Sequence, residues 1–243
     1  MKQLLLCVAC MCGISAWAQE TKIAESYGAQ TQIEQALYTA FADGNPKALK
    51  QITDSLSLQQ EPQAVYWLAY AKYYEGIFYL KTGQSGASEE AVKGGLALLQ
   101  ALPQKSSEDY AMMAVLQNFS IQFISQMMQM GMASEKAKDY AQRAVSANPG
   151  NVRAYVAAAT CDAHVPEAYG GRQQMEGFLL KALSLEPSQA QADGPSWGRE
   201  QVYSMLAQFY LSKGNKDLAQ RYVEEGLVQY PEDYTLNSLK QGL

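Results

Sequence analysis

The sequence predicts an all-α superhelix, a solenoid of about five antiparallel helix pairs, and three observations predict it. Beyond residue 20, apolar residues recur at intervals of three and four, with almost no strand-like alternation. Helix breakers fall between the runs, at Gly44, Gly83 to Gly86, Pro103, Pro149, Pro187, Gly214-Asn215 and Pro231. Small residues also recur in phase, one in each helix of a pair.

The pairs follow in order. Ala36 and Ala48, twelve apart with Gly44 between them, set the first at 29–60, although Gln60 stands where a terminating proline is expected. Ala71 and Ala91 set the second at 64–103, with eight extra residues assigned to the turn at Gly83 to Gly86, and Pro103 twelve further on. Ser125 and Ala137 set the third at 107–149, with a long first helix opening at the N-cap cluster Ser106 to Asp109. Ala159 and Met175 set the fourth at 152–187, with four extra residues. Ala207 and Ala219 set the fifth at 200–231, with Gly214-Asn215 as the turn and Pro231 as the stop. Residues 19–28 and the tail from Asp233 read as caps. Small side chains let paired helices approach closely. No pair can bury its apolar face alone, so neighbours stack into a right-handed superhelix with a concave inner side.

The fifth pair resembles the tetratricopeptide repeat, whose period is 34 residues. Leu206, Ala207 and Tyr210 match its first helix, and Ala219, Val223, Gly226 and Pro231 match its second helix and stop. A second resemblance covers about residues 150–235. Tyr169-Gly170-Gly171 followed by Pro195-Ser196-Trp197-Gly198 is similar to a group of exported bacterial tetratricopeptide proteins. A weaker similarity is to the T-component of tripartite periplasmic transporters. These resemblances imply a non-catalytic binding protein whose inner groove is lined from the first helix of each pair.

Counted from the assigned phase, the groove receives Lys72 and Glu75 from the second pair and Gln122, Gln126 and Gln129 from the third. The fourth pair contributes Arg153, Thr160 and His164, and the fifth Gln201, Ser204 and Gln208. That surface is polar and amide-rich, suited to partners that both donate and accept hydrogen bonds. The expected partner is a protein or peptide of the cell envelope. The alternative is a small polar ligand or glycan held near His164, Tyr169 and Trp197. Gly170-Gly171 allows a positive φ or close backbone approach at a helix start, where free N–H groups attract an anion. Trp197 is a wedge between the fourth and fifth pairs or an aromatic lid over a ligand. Met127, Met128, Met130 and Met132 end the long helix and are expected in the core. Tyr66, Trp67, Tyr70, Tyr73, Tyr74 and Tyr79 cover several faces of one helix, some core and some contact surface.

The chain of 243 residues is 48% hydrophobic and 18% charged, an ordinary globular balance. Its formal charge is -5 with no basic cluster, which sets nucleic acid aside as a partner. Residues 1–18 read as a signal peptide: Lys2, an apolar run from Leu4 to Ile14, and Ala16-Trp17-Ala18 before the cut. Lipidation at Cys7, Cys10 or Cys12 is disfavoured, because too little apolar sequence precedes them. Cleavage leaves a repeat domain of 19–243 with 18 basic residues against 24 acidic ones. Cys161 is then the only cysteine, so no internal disulfide can form. No segment of the mature chain is long and apolar enough to span a membrane. The expected destination is a Gram-negative periplasm, with secretion or outer-membrane association as alternatives.

Chemistry is sparse. Cys161, Asp162 and His164 lie close together, but no orienting partner or second histidine accompanies them. A metal needs three or four ligands, and His164 is the only histidine. There is no phosphate loop, G-x-S-x-G or H-E-x-x-H. The sequence therefore predicts neither catalysis nor a cofactor.

Overall fold

A computed structural model describes residues 28–59, 61–186 and 194–243. The expected leader, its three cysteines, the proposed cap at 19–27, Gln60 and Pro187 lie outside the described residues. Eleven α-helices and two short 3-10 turns make up the regular structure of the described residues, with no strand among them.

The first pair is α1 (Ala29–Asp43) and α2 (Lys47–Ser57); the second is α3 (Pro62–Lys81) and α4 (Ser85–Ala101). The third is α5 (Ser107–Ser120) and α6 (Met127–Ala147), and the fourth is α7 (Val152–His164) and α8 (Met175–Ser184). The fifth is α9 (Arg199–Ser212) and α10 (Lys216–Gln229), followed by a single helix α11 (Tyr234–Gly242).

Local chemistry explains where these helices start. Ser106 and Asp109 form a reciprocal capping box at α5. Asn151, Asn215 and Asp233 cap α7, α10 and α11 through their side-chain oxygens. Pro62 sits in the first turn of α3, where its missing N–H costs nothing. Gly44 and Gly214 end α1 and α9 in the left-handed region, at φ 63° and 74°.

The small-residue seam is in register in four pairs. Ala36, Ala71, Ala159 and Ala207 are buried, and so are their opposites Ala91, Met175 and Ala219, while Ala48 packs half-buried. The third pair corrects the sequence reading. Ser125 is exposed in the connection after α5, and Ala114, fully buried, takes the seam position facing Ala137. The long first helix is two helices. Ser120 Oγ bonds back to the Gln117 carbonyl and Gln122 Nε2 to the Phe119 carbonyl. The chain leaves the helix here without glycine or proline. The shift from Ser125 to Ala114 displaced the groove assignments of that pair into the connection and the start of the second helix. In the second pair the extra residues lengthen α3 and α4, and the turn itself is only Thr82 to Gln84.

The C-terminal tail folds as a helix packed on the fifth pair. Leu236 of α11 is fully buried beside Gly226, where an added Cβ would lie 2.8 Å from the leucine and 2.9 Å from Tyr203. The match of Gly226 to the repeat pattern therefore has a steric cause: α10 must let both side chains in.

Candidate functional site

The first helices present their N-terminal ends along one edge of the solenoid and their C-terminal ends along the other. The two edges differ in kind.

The N-terminal edge is filled by the chain itself. Trp197, 5% exposed, donates its indole N–H to the Tyr66 hydroxyl at 2.9 Å and stacks on Tyr70, ring centres 6.1 Å apart. Gln30 Oε1 accepts from the backbone N–H groups of Ser196 and Trp197, at 2.8 and 3.1 Å. Arg153 Nη1 reaches the Trp197 carbonyl at 3.4 Å. Arg153 itself is buried and forked onto Glu108, Nε to Oε2 at 2.7 Å and Nη2 to Oε1 at 2.6 Å. The 194–198 segment thus touches the starts of α1, α3 and α7. The Trp197 segment joins the fifth pair's lead-in not only to the fourth pair, through Arg153, but also to the first and second, through Gln30 and Tyr66. Arg153 is a structural ion pair, not an open contact.

Around this seat lies a cluster of tyrosine rings, Tyr66 on Tyr70 and Tyr70 on Tyr74. Tyr70 donates to Glu34 Oε1 at 2.8 Å, and its hydroxyl lies 3.1 Å from that of Tyr74. Burial, then the neighbouring Tyr74 and Glu34, push the Tyr70 hydroxyl well above its ordinary pKa. Glu200, at the start of α9, is also raised, chiefly by burial and despite the Gly198 N–H that it accepts at 3.0 Å. Folding therefore favours its protonated form. Its stabilisation is full below the ordinary carboxylate range and is lost as pH rises through the raised value. Glu200→Gln is expected to raise the melting temperature near pH 7 and to leave it nearly unchanged near pH 4, measured by thermal unfolding at both.

The C-terminal edge is open. A cleft of about 400 Å³ lies between α7, α9 and the α7–α8 loop, lined by Thr160, Ala163, His164, Arg172, Met175, Met205, Gln208, Phe209 and Ser212. Three of the residues expected in the groove, Thr160, His164 and Gln208, meet here. The His164 ring is oriented by Nδ1, 2.7 Å from the Thr160 carbonyl, which leaves Nε2 outward. Asn118, at the end of α5, approaches the same Nδ1 at 3.2 Å. Arg172 holds φ 61° and anchors its Nε on the Ala163 carbonyl at 3.2 Å, leaving its guanidinium at the rim.

The loop that shapes the cleft uses its glycines as expected. Gly170 sits at φ 81°, and a Cβ on Gly171 would lie 1.9 Å from the Val165 carbonyl oxygen. The anticipated anion site at the α8 start is filled from within. Asp162 Oδ2 accepts from the N–H groups of Gln174 and Met175, at 2.9 and 2.8 Å.

The other expected groove residues are dispersed. Lys72 pairs with buried Glu75 at 2.9 Å, and Glu75 accepts from Thr53 of α2 at 3.0 Å, so both face the second helices. Gln122 is exposed in the 3-10 turn, Gln126 is the N-cap of α6, and Gln129 lies in the first turn of α6. Gln201 is half-buried beside Ser204, and Tyr169 is 74% exposed and outside the cleft. Sequence reading missed Met205, Phe209 and Asn118 as site residues, because all three read as ordinary periodic helix positions. It also missed Gln30, whose partner is 166 residues away.

Cys161 is buried and its thiol is pushed up to about 12, mainly by burial. At neutral pH the thiol therefore keeps its proton, whereas nucleophilic attack requires the thiolate. Ellman's reagent is expected to leave it unmodified in the native protein and to react promptly in denaturant. Among the described residues no group of three or more His, Cys, Asp or Glu side chains could hold a metal ion, and no helix is long and apolar enough to cross a membrane.

Paired helices and an interlocked seam define the class of fold: an α-α superhelix similar to tetratricopeptide solenoids. Among solved structures it is similar to TTC0263, a thermophilic tetratricopeptide protein of Thermus thermophilus. The TM-score is 0.59 with 23% identity over 88% of this chain and 97% of that one. MamA, with TM-score 0.38 and 18% identity, covers 80% of this chain and 94% of its own. YrrB, a tetratricopeptide protein with an unusual peptide-binding site, has TM-score 0.39 and 15% identity, over 91% and 97%. No family model and no curated protein sequence matches the chain.

Proposed function

We propose that the protein is a non-catalytic recognition solenoid of the bacterial cell envelope that binds a peptide or protein segment in the cleft between α7 and α9. The observation that carries this is the contrast between the edges. The chain's own Trp197 segment fills one, and the other offers an accessible concavity with an apolar floor and a polar lip. Met175, Met205 and Phe209 supply adaptable apolar contact. Thr160, Gln208 and the outward Nε2 of His164 supply donors and acceptors for a backbone. Export rests on the leader at residues 1–18.

Selection of displayed peptides on the purified protein tests the reading. Selected peptides are expected to lose at least tenfold in affinity for the Thr160→Ala/His164→Ala/Gln208→Ala variant. If nothing is selected, or if affinity is unchanged in that variant, the proposal fails. The cleft volume also suits a small polar solute or glycan. That second reading gains if such a compound, and no peptide, raises the melting temperature.

A further inference from the structure

Helix α6 is 21 residues long against 14 for its partner α5, and its first buried residue is Ala133. The turns before Ala133 therefore overhang the pair. They carry Met127, Met128, Met130 and Met132, which are 78%, 81%, 37% and 68% exposed, where the sequence had placed a core strip. The mismatch that shifted the third pair also explains this exposure, because α5 ends too early to cover them.

The ledge has three properties that define what would cover it. From Tyr110 to Ser134 the chain has no Asp, Glu, Lys or Arg, so the surface selects against a charged face. A bilayer is a poor match, because interfacial helices bring basic residues to the headgroups and this stretch has none in a chain of charge -5. A second copy pairing ledge to ledge is also a poor match. Roughly six residues of helix extend about 9 Å, and a patch of that length on one helix face falls well short of the about 800 Å² per partner that a stable interface buries. The ledge is continuous with a larger surface instead. It begins where α5 ends, and Asn118 of that end touches His164 at the cleft rim. Both therefore lie on the open edge of the solenoid.

We propose that the α6 overhang is a docking ledge for a partner protein, taking the uncharged apolar face of a helix laid along the open edge. The unbranched, polarizable methionines adapt to such a face without a fixed complementary shape. The proposal rests on the binding reading and adds to it a second surface, which meets the cleft rim at His164.

The probe is a fluorescein-labelled, uncharged amphipathic helix of about 18 residues with a leucine face and a glutamine face. Fluorescence anisotropy is expected to show saturable binding that falls at least tenfold in Met127→Gln/Met128→Gln/Met132→Gln. The corresponding triple leucine variant should bind it as the parent does. Because the three sites are exposed, the glutamine variant should melt within about 2 °C of the parent. Equal binding by parent and glutamine variant overturns the proposal. So does binding of phosphatidylcholine or phosphatidylglycerol vesicles that the glutamine variant alone loses, or a dimer in sedimentation that the same variant dissolves. Loss of cleft-selected peptides in Thr160→Ala/His164→Ala/Gln208→Ala reads the other site, so the two proposals fail separately.

Discussion

Trp197→Ala is expected to destabilise the protein by about 3–5 kcal/mol, the range for removing a large buried aromatic side chain. The indole lies against Tyr70 and its N–H is a partner of the buried Tyr66 hydroxyl, so truncation leaves both a cavity and a weakened polar contact. The effect should be uneven along the chain. In a repeat array each module is held mainly by its neighbours, but the Trp197 segment also ties the lead-in of the fifth pair to α1 and α3. Cutting that tie should let α1 and α2 exchange their amides well before the third and fourth pairs, as hydrogen exchange would read. Trp197→Phe keeps a stacked ring and loses the N–H donor, so it should cost only about 1 kcal/mol. If Trp197→Ala leaves the exchange of α1 unchanged, the segment does not tie the two ends.

Arg153→Met has the second large effect. The guanidinium is 7% exposed and meets Glu108, 25% exposed, through two short bonds. Removing one member of a buried pair strands the other. The usual cost of about 3–5 kcal/mol should shrink to about 2–3 kcal/mol here, because water still reaches Glu108. Adding Glu108→Gln should recover part of the loss, since no unpaired charge then remains. A double-mutant cycle by urea denaturation measures this, and a coupling near zero would show that the pair is not what joins α5 to α7.

The sequence was most legible where steric rules are strict. Ala36, Ala71, Ala159 and Ala207 mark close approaches that only small residues allow, and the Gly170-Gly171 loop was readable for the same reason. It was least legible where a helix ends without a breaker. The α5 stop at Ser120 has no glycine or proline to mark it; Gln117, Ser120 and Gln122 turn back there on nearby hydroxyl and carbonyl groups, which their types alone do not announce. That one miss exposed the methionines and moved Gln126 and Gln129 away from the inner face. The seat of Trp197 was illegible for a different reason. Gln30, Tyr66 and Arg153 lie far apart in the chain, and only stacking of the modules brings them together. The cleft was half legible: Thr160, His164 and Gln208 follow from the repeat phase, whereas Met205 and Phe209 look like any other helical apolar residues.

Beyond residue 18 the protein carries eight methionines, two in the core (Met112 and Met113), four on the ledge and two lining the cleft (Met175 and Met205). Methyl spectra of ¹³C-methionine-labelled protein, titrated with a peptide selected on it, therefore report all three environments at once. Binding at the open edge predicts that Met205 and Met175 shift in proportion to occupancy while Met112 and Met113 stay still. Saturation by the peptide with both cleft methyls unmoved would contradict it.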